Sequence, residues 1–338
     1  MTFRLPHKRF HTGIFLFGGL SYVLYRGKLS SSALYQAALY LSFAAFILCL
    51  LDVLLFYYQS RRLIPLKPRA NGIALVTGAS SGVGREIAYL LAEKGFSLML
   101  VARTESTLAR MAKEIHDVLG MKVFVCPADL SKTATSVQTI QEFVQKNNLQ
   151  VDILVNCAGL GHHGIFHEQS NAQVNEMIDL NVASLVNLTH TFLPDMILRN
   201  CGRILNIGSI AGASPMPTTA IYGATKAFVI RFSQAINYEC RHTNVSVSVI
   251  NPGPIPTNFQ KTCGMPEAML FHLPGMSGEV KAVASTAVDA MLAGTETVYD
   301  SYVSELMFQI GVFLVPRRLT AMGCQVMWNP PSEFPKAF

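Results

Sequence analysis

Tyr222 and Lys226 stand four residues apart in Tyr222-Gly223-Ala224-Thr225-Lys226, and Ser209 stands 13 residues upstream of the tyrosine. At that spacing a phenol and an ammonium share one face of a helix. The positive charge is expected to hold the phenol below its ordinary pKa of about 10. A phenol tuned in this way donates or accepts a proton near neutral pH. The serine hydroxyl can hydrogen-bond a substrate oxygen. Beside a nicotinamide, these three groups would reduce a ketone or oxidise an alcohol.

A nicotinamide nucleotide needs a phosphate cradle, and Thr77-Gly78-Ala79-Ser80-Ser81-Gly82-Val83-Gly84 is the candidate. It follows an apolar run at 73–76, read as a buried strand, and opens a helical pattern reaching about residue 94. Gly78 permits the tight turn. Gly82 and Gly84 let the backbone approach a pyrophosphate at the helix N-terminus, where free N–H groups and the dipole favour anions. Ser80, Ser81 and Val83 complete the cradle. After the second strand an NAD-binding fold places an acidic residue for the adenosine ribose. This chain has Val101-Ala102-Arg103-Thr104 there. A guanidinium suits a 2′-phosphate, so Arg103 favours NADP(H); the alternative is a solvated surface arginine.

The elements that must position these groups are legible as an alternation. Strands are expected at 73–76, 98–101, 123–125, 151–155, 203–207 and 245–250. Helices are expected between them, at 131–145, at 172–199 and from Tyr222 to about 241. Thr104 caps another, with Leu108, Met111, Ala112, Ile115 and Leu119 on its apolar face and Gly120 as its stop. Such alternation implies an α/β fold with a parallel, doubly wound sheet. Residues 254–279 hold four prolines and three glycines, and read as a substrate loop or lid. A helix at 278–293 and an edge strand at 297–302 follow. The apolar segment 307–315 covers the site, touches a membrane or packs as a C-terminal helix.

Half of the residues are hydrophobic and only 14% are charged. Leu34 to Leu51 contains no charge, and the apolar run continues to Tyr58, long enough for a spanning helix. Asp52 opposes it by roughly 2.5–3.5 kcal/mol at mid-bilayer. Thirteen Leu, Ile, Phe and Val residues between Leu34 and Phe56 favour it by roughly 0.3–0.6 kcal/mol each, and win. A shorter apolar stretch at 13–25 is a re-entrant piece or the first half of a hairpin. Arg61, Arg62, Lys67 and Arg69 after the span put the catalytic domain on the cytoplasmic side; Arg4, Lys8 and Arg9 fit a hairpin. The seven cysteines show no metal or redox spacing, which reads as a reducing compartment and no metal site. The net charge of +6 includes these basic flanks and makes no case for nucleic acid. Asn187-Leu188-Thr189 and Asn244-Val245-Ser246 fall in packed elements and are chance glycosylation matches.

Taken together, Thr77 to Gly84, Asp129-Leu130, Asn156-Cys157-Ala158-Gly159, Asn181, Ser209, Tyr222 with Lys226, and Pro252-Gly253 followed by Thr257 resemble the short-chain dehydrogenase/reductase family. The resemblance runs from about residue 71 to 257. It implies a Rossmann-type doubly wound parallel sheet, which here would follow the N-terminal transmembrane segment expected from the apolar run. It makes Tyr222 the general acid of a carbonyl reduction and Ser209 the polarising donor. Lys226 would bind the nicotinamide ribose, and Asn181 would position Lys226. Asp129 and Leu130 would sit against the adenine. Asn156, Ala158 and Gly159 would line the cofactor, and Pro252, Gly253 and Thr257 its nicotinamide side. Cys157 departs from the commoner second asparagine.

The stretch 156–257 is similar to the branch that holds general bacterial-type short-chain reductases and membrane-anchored lipid reductases. Tyr222-Gly223-Ala224-Thr225-Lys226-Ala227-Phe228 resembles very-long-chain 3-oxoacyl-CoA reductases, and Asn156-Cys157-Ala158-Gly159 resembles 3-ketosphinganine reductases. Phe334-Pro335-Lys336-Ala337-Phe338 lacks the dilysine signal common in the first group. The expectation is NADPH-dependent reduction of a 3-oxo lipid at a membrane, in a eukaryote the endoplasmic reticulum. A homodimer or homotetramer is implied by resemblance. A steroid or retinoid substrate, or a silent nucleotide-binding scaffold, are the alternatives. His162 and His163 face the substrate entrance or are ordinary loop residues. The domains are then 1–70 (anchor and linker), 71–302 (catalytic) and 303–338 (C-terminal segment).

Overall fold

The computed structural model describes residues 33–59, 63–256, 259, 262–264, 278–309, 311 and 315–328. The expected apolar stretch at 13–25, the flanking Arg4, Lys8, Arg9, Arg61 and Arg62, Thr257 and most of the 254–279 loop lie outside these residues. The chain divides into two units, Met1–Arg62 and Leu63–Phe338.

In the first unit, α1 (Ala33–Gln59) is a helix of 27 residues. Its side chains are described at 36–48, 50 and 51. Among the described residues no helix is long and apolar enough to cross a membrane; the longest continuous run of described side chains in α1 is the 13 residues 36–48. Within it Tyr40, Leu41, Phe43 and Leu48 are exposed.

The second unit is built on seven parallel strands: β1 (Gly72–Thr77), β2 (Ser97–Ala102), β3 (Val123–Pro127), β4 (Gln150–Asn156), β5 (Gly202–Ile207), β6 (Val245–Asn251) and β7 (Thr297–Tyr299). Their order is β3-β2-β1-β4-β5-β6-β7. β1 and β6 are buried along their whole length, because helices cover both faces of a parallel sheet. One face packs against α2 (Gly82–Glu93), α3 (Glu105–Leu119) and α8 (Val280–Ala293) through Ile87, Leu91, Leu108, Ile115, Val283 and Met291. The other packs against α4 (Thr133–Lys146) and α6 (Ser184–Leu198) through Ile140, Leu188, Phe192 and Met196. α7 (Ala220–Glu239) lies on β6, with Val229 and Ile230 against Val249. Gly120 ends α3 in the left-handed conformation at φ 68°, as a C-terminal glycine does.

Polar groups tie the ends of this core. Asp152 is the bulged residue of β4, opposite the shift between Ile73 and Ala74. Its buried carboxylate accepts from Arg69 Nε at 2.8 Å, from Arg69 Nη2 and from Arg199 Nη1 at 2.8 Å. Arg203, fully buried, donates to the carbonyls of Gly202, Asn244 and Ile64 at 2.7–2.9 Å. The segment entering β1 is thus pinned beneath the sheet, at the end away from the carboxyl ends of the strands.

Two expectations need correcting, and one of the readings offered for 307–315 is met at its start. The helix expected at 172–199 is α5 (Asn171–Ile178), a π turn at Asp179–Ala183, then α6. The wider turn accommodates Asn181, whose amide bonds elsewhere. The edge strand stops at Tyr299, because the Asp300 carboxylate turns away to accept from Gly253 N–H at 3.0 Å. The apolar segment at 307–315 begins as the end of α9 (Tyr302–Gln309), with Phe308 against Tyr299 at 5.3 Å between ring centroids. A further helix, absent from the expected elements, α10 (Arg317–Trp328), follows it.

Candidate active site

At the carboxyl ends of the strands the order reverses between β1 and β4, the place where open α/β sheets form a crevice. Thr77 ends β1. Its Oγ1 donates to the Val155 carbonyl at 3.1 Å and accepts from the N–H groups of Cys157 and Ala158 at 3.0 and 3.1 Å. Gly78 then turns at φ 64°, and a Cβ on it would stand 2.9 Å from the Ala158 backbone. Only glycine fits both constraints.

A cleft of about 500 Å³ opens here. One end is lined by Gly78, Ser80, Ser81, Gly82, Val83 and Gly84, with α2 starting at Gly82. Arg103, Asp129 and Leu130 line the same region. Gly84 sits differently from the expectation of close approach to a pyrophosphate. A Cβ there would meet the Gly78 carbonyl oxygen at 2.5 Å and Cys157 Sγ at 3.2 Å, so its bareness lets turn, helix and β4 pack together. Arg103 is exposed at the rim, with no carboxylate beside it in sequence. Asp129 Oδ1 accepts from Ser131 N–H at 3.2 Å and Ser131 Oγ at 2.8 Å, which fixes the turn into α4. These residues fit a phosphorylated dinucleotide: backbone amides at a helix N-terminus for the pyrophosphate, and a free guanidinium for a further phosphate.

The other end gathers the residues expected to transfer the proton. Ala158, Gly159, Ser209, Tyr222, Lys226, Pro252 and Gly253 line it. Tyr222 and Lys226 project from the first turns of α7 and are both buried. Ser209 precedes a 3-10 turn, Ile210–Ala213, and its Oγ accepts from Ala211 N–H at 3.1 Å. Lys226 Nζ donates to the Ile207 carbonyl at 2.8 Å and lies 5.7 Å from the Tyr222 ring centroid.

Asn181 does not line the cleft but braces it. Its Oδ1 accepts from Leu160 N–H at 2.9 Å; its Nδ2 donates to the Leu160 carbonyl at 2.8 Å and to Thr225 Oγ1 at 3.2 Å. A Cβ on Gly159 would lie 3.2 Å from Asn181 Oδ1 and 3.7 Å from Lys226 Nζ. Asn156, expected along the cofactor, lies beneath the cleft: its Nδ2 donates to Asn206 Oδ1 at 2.9 Å and to Thr189 Oγ1 at 3.3 Å.

The expected depression of the phenol pKa is not what the cleft produces. Burial pushes Tyr222 well above 10; the neighbouring Cys263 adds to that, and the Ser209 hydroxyl opposes it. Burial pushes Lys226 down to about 8, against the pull of Cys157 and Cys263. Both shifts disfavour a charged form taken out of water. The lysine is turned to the Ile207 carbonyl rather than to the phenol oxygen. Cys157 is likewise raised to about 11 by burial and is a protonated thiol at neutral pH.

Several lining residues had no signal in the motif reading: Leu160, Glu176, Phe259, Thr262 and Trp328. Phe259 packs on Tyr222 at 5.4 Å between centroids. Trp328, at the end of α10, joins Met177, Ala211, Met216, Tyr222 and Cys263 in one apolar cluster. It is the only tryptophan of the chain, and the helical spacing of Leu319, Met322, Val326 and Met327 before it was the available clue. His162 lines the cleft and His163 is not among its lining residues.

The charged form of Lys226 exists below about pH 8 in the folded protein, against about 10.5 ordinarily. If the ammonium is needed, kcat/KM for the nucleotide falls as pH rises through about 8, since this ratio reports the free protein. Lys226→Arg, which stays charged, is expected to move that fall to higher pH. A profile flat to pH 10 would show that the ammonium is not required.

The short-chain dehydrogenase family model matches residues 72–267. A very-long-chain 3-oxoacyl-CoA reductase of Laccaria bicolor is 38% identical over 180 residues, 53% of each chain. One of Mycosarcoma maydis is 35% identical over 191 residues, 56% of this chain and 54% of the other. The chain thus spans about half the length of these curated relatives. Among solved structures, a short-chain dehydrogenase from Sphingobium yanoikuyae in complex with NADPH superposes with a TM-score of 0.63 at 26% identity, covering 79% of this chain and 96% of that one. The family match takes in more than half of the chain, including β1 to β6 and the cleft they form, and on that ground this protein belongs to the short-chain dehydrogenase family.

Proposed function

We propose that this protein reduces the keto group of a 3-oxo lipid, carried as an acyl thioester or related compound, to the alcohol with NADPH. The observation that carries the reading is the setting of Tyr222. Its phenol shares one cleft with Ser209 and Lys226, Phe259 packs on its ring, and Phe259 and Trp328 line the same cleft. A buried phenol kept protonated is suited to giving a proton to a developing alkoxide, with Ser209 as second donor. An apolar wall around a proton donor suits an acyl chain. The nucleotide, when bound, supplies the hydride. Ser80, Ser81 and the α2 N-terminus would hold its pyrophosphate, Arg103 its 2′-phosphate, and Lys226 the nicotinamide ribose, while Asn181 keeps the Leu160 peptide in place. The names of the fungal relatives support a 3-oxoacyl substrate. The solved NADPH complex supports the phosphorylated cofactor.

The reading extends to the membrane. The sequence of α1 carries one charged residue, Asp52, in its 27 positions. Its apolar residues occupy all faces of the helix, and Tyr40, Leu41, Phe43, Ile47, Leu48, Leu50 and Leu51 are exposed. A helix apolar all round is buried in protein or in lipid. With Lys67 and Arg69 following, the proposed placement is a bilayer anchor with the second unit on its cytoplasmic face.

The direct test is NADPH consumption with a long-chain 3-oxoacyl-CoA by the detergent-solubilised protein. Tyr222→Phe is expected to lower kcat by about 10²–10⁴-fold, the usual contribution of general acid–base catalysis, with NADPH still bound. Equal rates for the two proteins would remove Tyr222 from the chemistry. Arg103→Ala is expected to raise KM for NADPH and leave KM for NADH nearly unchanged; equal rises would refute the phosphate assignment. Deleting residues 1–62 is expected to move the protein from the membrane pellet to the supernatant. A truncated protein that still sediments with membranes would mean that α1 is not the sole anchor.

A further inference from the structure

Ser209 is held by the peptide groups on either side of it. Gly208 N–H donates to the Ile250 carbonyl at 2.8 Å, and Ile210 N–H to the Pro252 carbonyl at 3.1 Å. Both acceptors belong to the exit of β6, so the place of Ser209 follows the place of that exit.

The exit reads Asn251-Pro252-Gly253-Pro254. Proline carries no N–H, so Gly253 supplies the one N–H between Asn251 and Ile255. It donates to Asp300 Oδ1 at 3.0 Å. The Pro252 carbonyl and the Gly253 N–H are two ends of one peptide plane. That plane therefore bridges the Asp300 carboxylate and the Ile210 N–H, and the chain of bonds ends on the loop that carries Ser209. A carboxylate acceptor makes a stronger hydrogen bond than a neutral one, and bonds linked in this way polarise one another.

Asp300 is itself fixed. It follows β7, whose Tyr299 pairs with Asn251 of β6. A Cβ on Gly278 would stand 2.7 Å from Asp300 Oδ2, and Gly278 N–H donates to the Pro254 carbonyl at 3.0 Å. Pro252, Gly253 and Pro254 line the cleft together with Ser209, whereas Asp300 is not among its lining residues.

We infer that Asp300 is a positioning residue for the reduction: through the Pro252–Gly253 peptide it sets Ser209 where the hydroxyl meets the substrate oxygen. This rests on the reductase reading above and deepens it with a residue that stands outside the cleft and beyond residues 72–267 of the family match.

The test uses the full-length, detergent-solubilised protein with NADPH and a long-chain 3-oxoacyl-CoA. Asp300→Ala is expected to lower kcat about 10- to 100-fold, the loss a displacement of about 1 Å can cause, with Kd for NADPH within about threefold. Asp300→Asn, whose amide oxygen still accepts from Gly253, is expected to recover most of that loss. In a Ser209→Ala background, Asp300→Ala is expected to cost less than about threefold more, because residues acting as a unit are not additive. Hydrogen exchange at the Gly253 amide is expected to quicken about 10-fold or more in Asp300→Ala and to change little in Asp300→Asn. An unchanged kcat in Asp300→Ala, a loss confined to NADPH binding, no recovery in Asp300→Asn, an equal loss with and without the Ser209 hydroxyl, or unaltered exchange at Gly253 would each overturn the inference and leave the reductase reading standing. An unaltered protein that reduces no 3-oxoacyl-CoA would overturn the reductase reading and the role of Asp300 with it.

Discussion

The close approach of the ends of β1 and β4 is the constraint on which the rest of the site depends. Thr77 fastens the two strands through one hydroxyl that donates once and accepts twice. Gly78 must then turn with no side chain, because the Ala158 backbone occupies the space a Cβ would take. From that contact the two walls of the cleft diverge: one leads into the N-terminus of α2, the other into Ala158 and Gly159. A residue with a Cβ at 78 would push the walls apart and misdirect both.

A second set of ties carries this geometry to Tyr222 and Lys226. Asn181 links the loop after β4 to α7 through Leu160 and Thr225. Lys226 links α7 to the end of β5 through the Ile207 carbonyl. The π turn at Asp179–Ala183 is the local deformation that brings Asn181 to its partners, and such turns are frequent at functional sites. The same burial that secures these bonds sets the titration of Tyr222 and Lys226. It raises Tyr222 and lowers Lys226, so near neutral pH the phenol holds its proton and the ammonium is within reach of its titration. That state is suited to giving a proton away.

Much of the architecture could be read in the sequence because its causes are local. Apolar runs such as Leu98 to Val101 become buried strands, and Gly120 stops a helix. The glycine turn after β1 and the Tyr222–Lys226 spacing carried the site. What escaped depends on distant contacts. A π turn adds one residue without changing composition, so Asn181 was expected to position Lys226 while its bonds to Leu160 and Thr225 were not foreseen. The direction of Asn156 follows from its place at the end of β4 and from Asn206 opposite it. The sign of the Tyr222 shift needed the burial around the ring. Trp328 reaches the cleft from more than 100 residues downstream of Tyr222 and Lys226, beyond any motif. Glu176 became visible as a partner of His162 only when α5 was placed against the loop after β4.

Hydride transfer to a 3-oxo carbon, with the proton from Tyr222, is the central claim. Its most direct measurement follows the label from NADPH carrying deuterium at the transferable position of the nicotinamide. The full-length protein would be incubated with it and a long-chain 3-oxoacyl-CoA, and the product weighed by mass spectrometry. One deuterium bound to C3 of the 3-hydroxyacyl product for each NADPH consumed is the predicted result. NADPH consumed without label in the product, or labelled product formed equally fast by Tyr222→Phe, would contradict it.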